Sequence, residues 1–465
     1  MERKKNMGEK LLSERIADFA LDLNLDSVPE EVKRYGKMLI IDTLGVALAA
    51  YNLEHAKIVR DTIVDIQSKP QSIIWGTKQR VSMADAVLAN GSIIHGMDYD
   101  DTHVKAIVHP SSCVVNTAIT VGEAIGASGE EILNAMLCGW EIMVRLGVAA
   151  NGRFHDVGYH ATGVVGPFAS ACVAAKLLKL PKNVLVNALG ICGSQAAGLQ
   201  EFLRDGSWVK KIHPGWASHS AIYALLMAKR GFTGIKQVFE GEFGVWRTHL
   251  GTVKGLWDTF NDLGKRWYTK EIAVKLYPCC HFTHSFIDCV LALKKEHGFS
   301  CNDIDRIECR IIKRFSQVCC EPIEVKRRPT TDYAMRFSLP YLISVAIVKG
   351  LVGPEEIDEK YIGNELINNL MDRIDCIVDE KAESPGHFPG WVKVFLRNGK
   401  VYEKIQKYER GAPDNPISED DIINKYRNNM KIHYNTEKTD SVLNSVLNID
   451  QLKGILGILT DLEIE

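Results

Sequence analysis

The stretch from Gly163 to Ala175, GVVGPFASACVAA, decides the fold more than any other part of the 465-residue chain. Nearly every residue in it is small or apolar, and no charged residue interrupts it. A second stretch of the same character, ALGICGSQAAG, runs from Ala188 to Gly198. Small side chains let helix backbones approach closely, so we expect both stretches to be helices buried on most faces. The sequence therefore predicts an internal helical bundle.

Helix signals continue on both sides of these stretches, from Lys10 to about Gln237. Pro29 followed by two glutamates is a favourable helix start, since proline suits the first turn and acids suit the positive end of the dipole. Ser128–Glu131 matches a capping box in front of the apolar-periodic run 132–148. The first half of the chain is thus predicted to be helices joined by short connections.

The pattern changes after about Lys270. Residues 303–312 alternate apolar and polar side chains, and residues 390–402 form two such runs around an Asn-Gly turn, typical of strands and a hairpin. Helical periodicity returns after Ser418 and again after Thr439. We therefore expect a mainly α protein with a smaller α+β domain, and a C-terminal tail that packs back on the helical bundle.

Composition and charge exclude several functional classes. Hydrophobic residues make up 46% and charged residues 25%, as in ordinary globular proteins. Lys and Arg number 56 against 58 Asp and Glu, so no basic surface for nucleic acid or anionic membrane is indicated. The start of the chain is charged, and the longest apolar stretch, 38–51, contains Asp42 and is too short to span a bilayer. We expect a cytoplasmic protein that acts on small molecules.

Twelve cysteines in such a chain indicate free thiols. None has Cys-x-x-Cys spacing, and the adjacent pairs Cys279-Cys280 and Cys319-Cys320 suit neither a structural zinc site nor an iron–sulfur cluster. No cofactor of these kinds is expected.

The densest polar cluster is His95–His103, HGMDYDDTH, followed by His109. Such groups are costly to bury unless they are paired or used, so the cluster is a candidate site, although a capped helix end with solvated acids would look similar. Asp98, Asp100 and Asp101 beside histidines could also hold magnesium. The spacing is not DDxxD, and no second acidic cluster is present, so we expect no metal.

Three further segments carry candidate groups. His160 stands in GYHATG, before a predicted helix start whose N-terminus favours a bound carboxylate. Lys210, Lys211 and His213 stand in what reads as a glycine-rich loop before a small-residue helix, where a lysine could hold a substrate carboxylate. At the predicted domain junction, where ligand sites concentrate, lie two histidines and a lysine, namely Lys275, His281 and His284.

Together these segments resemble the MmgE/PrpD family, which includes 2-methylcitrate dehydratases, cis-aconitate decarboxylases and an iminodisuccinate epimerase. The stretches that carry the resemblance occur in order along most of the chain: LANGSIIHGMDYDDTH, HPSSCVVNTAI, GYHATGVVGPFASACVAAKLLKL, DGSWVKKIHPGWAS, KLYPCCHFTH and TTDYAMRFSLPY.

The resemblance implies a helical domain formed by residues 1–268 and 411–465, an α+β lid domain at 269–410, and a homodimer with its active site in the cleft. It implies a metal-independent reaction on a small polycarboxylate, without a cofactor. The family pattern, carried over by motif, implies the catalytic residues His109, His160, Asp98 and Lys210. It implies the substrate-binding residues Thr102, Lys275, Cys280 and His281.

Two departures from the decarboxylase-like pattern stand out. Cys280 occupies the place where those members have a histidine, with His281 one residue later. Their later tyrosine, before Asn-Arg-Pro, has no match beside Arg327–Pro329. Both count against cis-aconitate decarboxylation, which needs a proton donor at the carbon that loses carboxylate.

The shared chemistry of the family is removal of a proton α to a carboxylate, with cations stabilising the enediolate that develops. We expect His109 and His160 to divide the base and acid roles, with Asp98 orienting one of them. A hydro-lyase similar to 2-methylcitrate dehydratase is the first expectation. Epimerisation and decarboxylation share the same intermediate and stay open, as does a non-catalytic carboxylate-binding protein.

Overall fold

The computed structural model describes residues 10–379 and 386–464, and its first part is almost wholly helical. The α-helices of this part are α1 (Leu12–Asp22), α2 (Glu30–Ala49), α3 (Glu54–Ile66), α4 (Met83–Ile94), α5 (Pro110–Ile125), α6 (Gly129–Ala150), α7 (Arg153–Asp156), α8 (Ala161–Leu177), α9 (Lys182–Cys192), α10 (Phe202–Asp205), α11 (Val209–Lys229) and α12 (Val245–Leu250). Three two-residue strands lie between them: β1 (Ser72–Ile73), β2 (Arg80–Val81) and β3 (Thr102–His103).

Helix α8, which contains the small-residue stretch, lies at the centre of this bundle. It packs against α5, α6, α9 and α11, and all its residues except Lys176 are buried. Gly166 explains the close packing, because a Cβ there would lie 2.8 Å from Cys113 Sγ and 2.9 Å from Ala217 Cβ. The prediction of a buried central helix is confirmed.

The second small-residue stretch follows the prediction only in its first half. Helix α9 ends at Cys192, residues 193–195 form a turn, and residues 196–198 have no regular structure; Ala196 is buried, whereas the other five of these residues are at least partly exposed. Gly198 has a φ of 145°, which L side chains rarely adopt. The predicted helix over 193–198 is therefore wrong, because Ser, Gln and Gly in this segment favour turns over a packed helix.

The middle part of the chain mixes helices with a sheet. Its helices are α13 (His284–His297), α14 (Lys313–Cys319), α15 (Ile323–Lys326), α16 (Asp332–Arg336), α17 (Leu339–Lys349) and α18 (Glu365–Met371). Its strands are β4 (Ile272–Ala273), β5 (Ile304–Ile312), β6 (Ile374–Asp379), β7 (Gly390–Leu396) and β8 (Val401–Gln406).

Four of these strands form one mixed sheet in the order β6-β5-β7-β8. Strand β5 pairs in parallel with β6 and antiparallel with β7, and β7 pairs antiparallel with β8. The β7–β8 hairpin turns at Asn398-Gly399, with Gly399 at a φ of 84°, as the sequence predicts. The protein is thus mainly α with a smaller α+β part.

The C-terminal tail forms α19 (Glu419–Met430), α20 (Thr436–Leu447) and α21 (Leu456–Asp461). Helices α19 and α20 pack on α2, and their buried side chains join the hydrophobic core of the first part. A separate core fills the region from Ala273 to Ala412. The domain limits at residues 268 and 410 stay predictions.

One helix in the described part of the chain, α6, is long and apolar enough to cross a membrane by composition. Its apolar window is 89% buried within the protein, and it packs on α5 and α8. This is how the core helix of a bundle behaves, so α6 carries no evidence for a membrane span.

Candidate active site

The eight residues singled out by motif lie around one cavity of about 60 Å³. They are Asp98, Thr102, His109, His160, Lys210, Lys275, Cys280 and His281. The remaining walls are mostly apolar and include Phe202, Phe282, Phe337 and Phe388. The structure thus brings together residues separated by up to 183 positions in the chain, between Asp98 and His281.

Two short strands join the segments that supply these side chains. Strand β3 pairs antiparallel with β4, setting Thr102 opposite Ala273. This pairing holds the loop after α4, which contains Asp98, against the segment that contains Lys275. Two-residue strands have no sequence pattern of their own, so this contact is a tertiary feature that the sequence did not reveal.

Lys210 does not lie in a loop, and that prediction is wrong. It belongs to the first turn of α11, which continues through Pro214 to Lys229. A lysine anchored on a helix is held more firmly than one on a loop.

The side chains of Lys210 and Lys211 point to different surroundings. Lys210 lines the cavity, whereas the Lys211 ammonium lies 3.3 Å from His55 Nδ1 and 3.8 Å from Asp332 Oδ2. Burial lowers the pKa of Lys211 to about 8. Lys210 is therefore the lysine of this pair that can reach a ligand in the cavity.

Asp98 forms ion pairs with both lysines that line the cavity. Lys210 Nζ donates to Asp98 Oδ1 at 2.5 Å, and Lys275 Nζ lies 3.2 Å from Oδ2 and donates to the Asp98 carbonyl at 2.7 Å. Burial would raise the pKa of Asp98, but the two lysines outweigh burial and hold it below the ordinary value. Asp98 has a φ of 51°, so the loop bends sharply to present it.

His109, at the N-terminus of α5, has one nitrogen tied to the backbone. Its Nδ1 donates to the Asp101 carbonyl at 3.0 Å, which leaves Nε2 as the acceptor nitrogen of the neutral ring. Nε2 lies 3.7 Å from Asp98 Oδ1, too far for a hydrogen bond. Burial, and then the charges of Lys210 and Lys275, hold the pKa of His109 well below the ordinary value.

His160, at the N-terminus of α8, meets a second histidine. Its Nδ1 lies 3.0 Å from His213 Nδ1 of α11, so one of the two nitrogens carries the proton that they share. Its Nε2 is buried and has no hydrogen-bond partner among the described residues. Burial and then Lys210 hold the pKa of His160 well below the ordinary value, so the ring is neutral.

Other acids and histidines of the 95–103 segment have partners within the protein and are not among the residues that line the cavity. His95 Nδ1 contacts Asp100 Oδ2 at 2.8 Å, and neither side chain is exposed. Asp101 accepts from the backbone and hydroxyl of Ser111. Burial raises the pKa of Asp101 to about 8. These groups fix the loop rather than face a ligand.

Several buried polar atoms around the cavity lack partners in the described part of the chain. Both ring nitrogens of His281 and the hydroxyl of Thr102 are among them. Cys280, which precedes His281, also lines the cavity. Buried polar groups are almost always satisfied, so a polar ligand that bonds to these atoms would complete the site.

Two residues that motif reasoning did not assign also belong to the site. His155 lines the cavity with its ring 6.2 Å from that of His160, and burial lowers the pKa of His155 to about 3. His213 stands behind His160. His213 lay in a segment that the sequence had already indicated, but its contact depends on how α8 and α11 pack, which spacing does not predict.

The ligand atoms of His95, Asp98, Asp100 and His109 all lie within 4.8 Å of one another, so a metal ion could in principle bind there. The chemistry of the set argues against it. Asp98 is already bound by two ammonium groups, and His95 Nδ1 is bound to Asp100. A divalent cation would have to displace lysine from Asp98 and meet repulsion from both lysines.

An outer cavity of about 500 Å³ adjoins the first one. The two share six lining residues, namely Ile107, His155, Gln200, Leu203, Phe282 and Val318, and the outer cavity adds polar groups that include Arg314. Ligand sites usually measure about 300–1,000 Å³, so the inner cavity alone is small. The outer cavity is the natural route by which a ligand would enter.

Comparison with known proteins identifies both parts of the chain. The model of the MmgE/PrpD N-terminal domain matches residues 14–254, and that of the MmgE/PrpD C-terminal domain matches residues 277–451.

Three relatives match over most of their length. A cis-aconitate decarboxylase-like protein, oryM, of Aspergillus oryzae is 24% identical over 96% of this chain and 95% of its own. Human cis-aconitate decarboxylase is 25% identical over 97% of this chain and 94% of its own. The 2-methylcitrate dehydratase of Escherichia coli is 22% identical over 80% of this chain and 79% of its own.

Proposed function

The chain belongs to the MmgE/PrpD family, and on that premise we propose that it is a lyase acting on a small di- or tricarboxylate through α-proton abstraction. The observation that carries the proposal is the pair of buried lysines, Lys210 and Lys275, that share one carboxylate beside two neutral histidines. Two ammonium groups against Asp98 leave a net positive charge, which a substrate carboxylate would neutralise.

We assign the base role to His109. Its Nδ1 donates to a fixed carbonyl, so Nε2 holds a free electron pair on the cavity side. Burial keeps the ring neutral, and a neutral imidazole can take a proton from the carbon next to a carboxylate. The lysines would then stabilise the negative charge that moves onto the carboxylate oxygens in the enediolate.

We assign the acid role to His160, with His213 as its positioning residue. If His213 Nδ1 donates to His160 Nδ1, the proton of His160 sits on Nε2, the atom that has no partner among the described residues. That N–H could then hydrogen-bond to the substrate hydroxyl, which leaves as water when it takes the proton, and the proton gained by His109 would restore the His160 ring. A positioned acid or base is typically worth about 10²–10⁴-fold in rate.

The first candidate reaction is dehydration, as in the 2-methylcitrate dehydratases. An acid and a base that are separate residues, with ring centroids 5.8 Å apart, suit removal of a proton and a hydroxyl group from neighbouring carbons. The tyrosine of the decarboxylase-like pattern is absent beside Arg327.

Decarboxylation is the second candidate, and two observations favour it. The decarboxylase relatives match 96–97% of this chain, against 80% for the dehydratases. His281, one residue beyond the expected place, lines the cavity beside Cys280. His281 can therefore contact a ligand although it stands one residue after the position of the decarboxylase histidine.

The reaction is tested by proton NMR of the purified protein with 2-methylcitrate and with cis-aconitate in separate samples, each with and without EDTA. We expect loss of water from the first acid, no loss of carbon dioxide from the second, and rates that EDTA leaves unchanged. Carbon dioxide release would establish the second candidate instead. Activity that EDTA abolishes and magnesium restores would overturn metal independence.

A further inference from the structure

Five lysines of the described chain are buried, and four of them have a carboxylate partner. Lys210 and Lys275 pair with Asp98, and the other two pairs are Lys211 with Asp332 and Lys425 with Asp42. The fifth, Lys326, is 4% exposed, and its ammonium has no carboxylate or hydrogen-bond partner within residues 10–379 and 386–464, although the thiols of Cys280, Cys319 and Cys320 are near enough to interact with its charge. Burial lowers the pKa of Lys326, and an anion beside the ammonium would offset the cost of burying its charge.

Lys326 lines a side cavity of about 210 Å³. It ends the short helix α15, and Ser338 Oγ donates to its carbonyl, which fixes the backbone from which the side chain extends. Other walls come from α10 and from α16 with the residue after it, and include the aromatic rings of Phe202, Tyr333 and Phe337. The buried Lys326 side chain thus borders a partly apolar cavity.

The charges around this chamber are mainly positive. Arg204 and Arg328 line it with Lys326, and Asp205 is the acid among the lining residues. Asp205 Oδ1 accepts from the Ser207 backbone, and Arg328 is occupied by Asp372 at 2.8 Å. Arg204 has no carboxylate partner in the described chain, so two cations, Arg204 and Lys326, stand without a counter-charge.

We propose that this side cavity, built on Lys326 and Arg204, binds a small anion carrying a carboxylate or phosphate group. Lysine and arginine are the side chains that hold such groups, the former as a point charge and the latter as a planar fork. The other four buried lysines have a carboxylate of the protein as partner, and the bound anion would take that place beside Lys326.

The side cavity is a neighbour of the active cavity. The two share Phe202, Leu203 and Phe337, and the Lys210 ammonium lies 5.1 Å from the ring centroid of Phe337. The anion could be a free ion or the far end of the substrate. The suggestion that the far end of the substrate occupies the side cavity rests on the proposed function. The suggestion that the side cavity binds an anion does not.

The test is isothermal titration calorimetry of the full-length protein with inorganic phosphate. Because phosphate could also bind at the active cavity, wild type is compared with Lys326→Met, with Lys210→Met and with the exposed control Lys400→Met. We expect Lys326→Met to weaken one binding event at least about ten-fold and Lys210→Met and Lys400→Met to leave that event in place. Equal phosphate binding in wild type and Lys326→Met would overturn the proposal.

Thermal melting separates loss of a ligand site from loss of structure. Without anion, Lys326→Met should melt at the wild-type temperature or above it, because it removes an unpaired buried charge. Phosphate should raise the melting temperature of wild type more than that of the variant. If Lys326→Met does not fold, Arg204→Gln replaces it, and unchanged phosphate binding in that exposed variant would count against the site.

The source of the anion is distinguished by kinetics in phosphate-free buffer. If the far carboxylate of the substrate occupies the side cavity, Lys326→Met raises KM at least about ten-fold in that buffer. If the ligand is a free anion, KM stays unchanged there, while calorimetry still shows weaker phosphate binding to Lys326→Met than to wild type.

Discussion

At the scale of single residues, the site is organised by burial and by two lysines. Burial disfavours the charged form of every histidine at the cavity, and the lysines add to that effect. The outcome is a set of neutral imidazoles beside a cationic patch centred on Asp98. Proton abstraction next to a carboxylate requires both: a neutral imidazole to take the proton and a positive charge to stabilise the anion that forms.

The pH dependence of kcat follows from the lowered pKa of His109. A base with a lowered pKa keeps its free electron pair until the pH falls below that lowered value, so kcat should stay flat through pH 6.5 and fall only under more acid conditions. Lys210→Met removes one cause of the lowering, so the acid limb should move toward higher pH. Half-loss of wild-type kcat near pH 6.5 would contradict this assignment.

His213 should act through His160. His213→Leu removes the Nδ1 contact, and we expect kcat to fall about ten-fold with KM little changed, the equivalent of one hydrogen bond of about 1.4 kcal/mol. His213→Asn restores a donor near the same place and should recover part of the rate. A variant series in which Leu and Asn behave alike, or in which only KM changes, would assign His213 a structural role.

At the scale of elements, the sequence predicted what local pattern determines. The small residues of α8 predicted a buried helix, and the Asn-Gly pair predicted the hairpin between β7 and β8. The start of α11 was predicted to be part of a glycine-rich loop, but the helix already begins at Val209 and continues past Gly215. The contact of β3 with β4, and the approach of His213 to His160, depend on tertiary packing that spacing does not contain.

The C-terminal tail reaches the site through one helix. Lys425 of α19 lies 2.7 Å from Asp42 Oδ1 of α2, and it donates to the carbonyl of Tyr99, next to Asp98, at 2.9 Å. Both charged side chains are buried. The tail therefore holds the loop that contains Asp98 as well as contributing to the core.

Breaking this pair on one side should cost more than removing both charges. Lys425→Met leaves Asp42 buried without a cation, and we expect a loss of about 3–5 kcal/mol of stability together with lower kcat, because Tyr99 is no longer held. The double variant Asp42→Asn, Lys425→Met should melt at a higher temperature than Lys425→Met alone. A double variant less stable than the single one would show that the charges are not coupled in this way.

At the scale of the whole molecule, one face of α11 is notable. Trp216, Tyr223 and Leu226 are exposed on it at helical spacing, and the Trp216 ring stacks on His219. Apolar groups that share a face and lack cover commonly mark an interface. We propose that a second copy of this chain covers them, in keeping with the homodimer that the family resemblance implies.

Light scattering on a size-exclusion column tests this assembly. Wild type should have a mass near twice the 51.9 kDa of the chain, and Trp216→Glu with Tyr223→Glu should have the mass of one chain. A charged residue at the exposed position Val401, on β8, serves as the control and should leave the mass unchanged. A wild-type mass near 52 kDa at micromolar concentration would exclude a stable dimer.

The central claim is that His109 and His160 act on a proton next to a carboxylate. The most direct measurement is deuterium incorporation at the α-carbon of 2-methylcitrate, cis-aconitate and related acids in deuterium oxide, followed by NMR for wild type, His109→Ala and His160→Ala. We predict incorporation or turnover of at least one acid by wild type, and a loss of about 10²–10⁴-fold in each variant. Acids that bind wild type without exchange or product, or folded variants within a few-fold of wild type, would contradict the account.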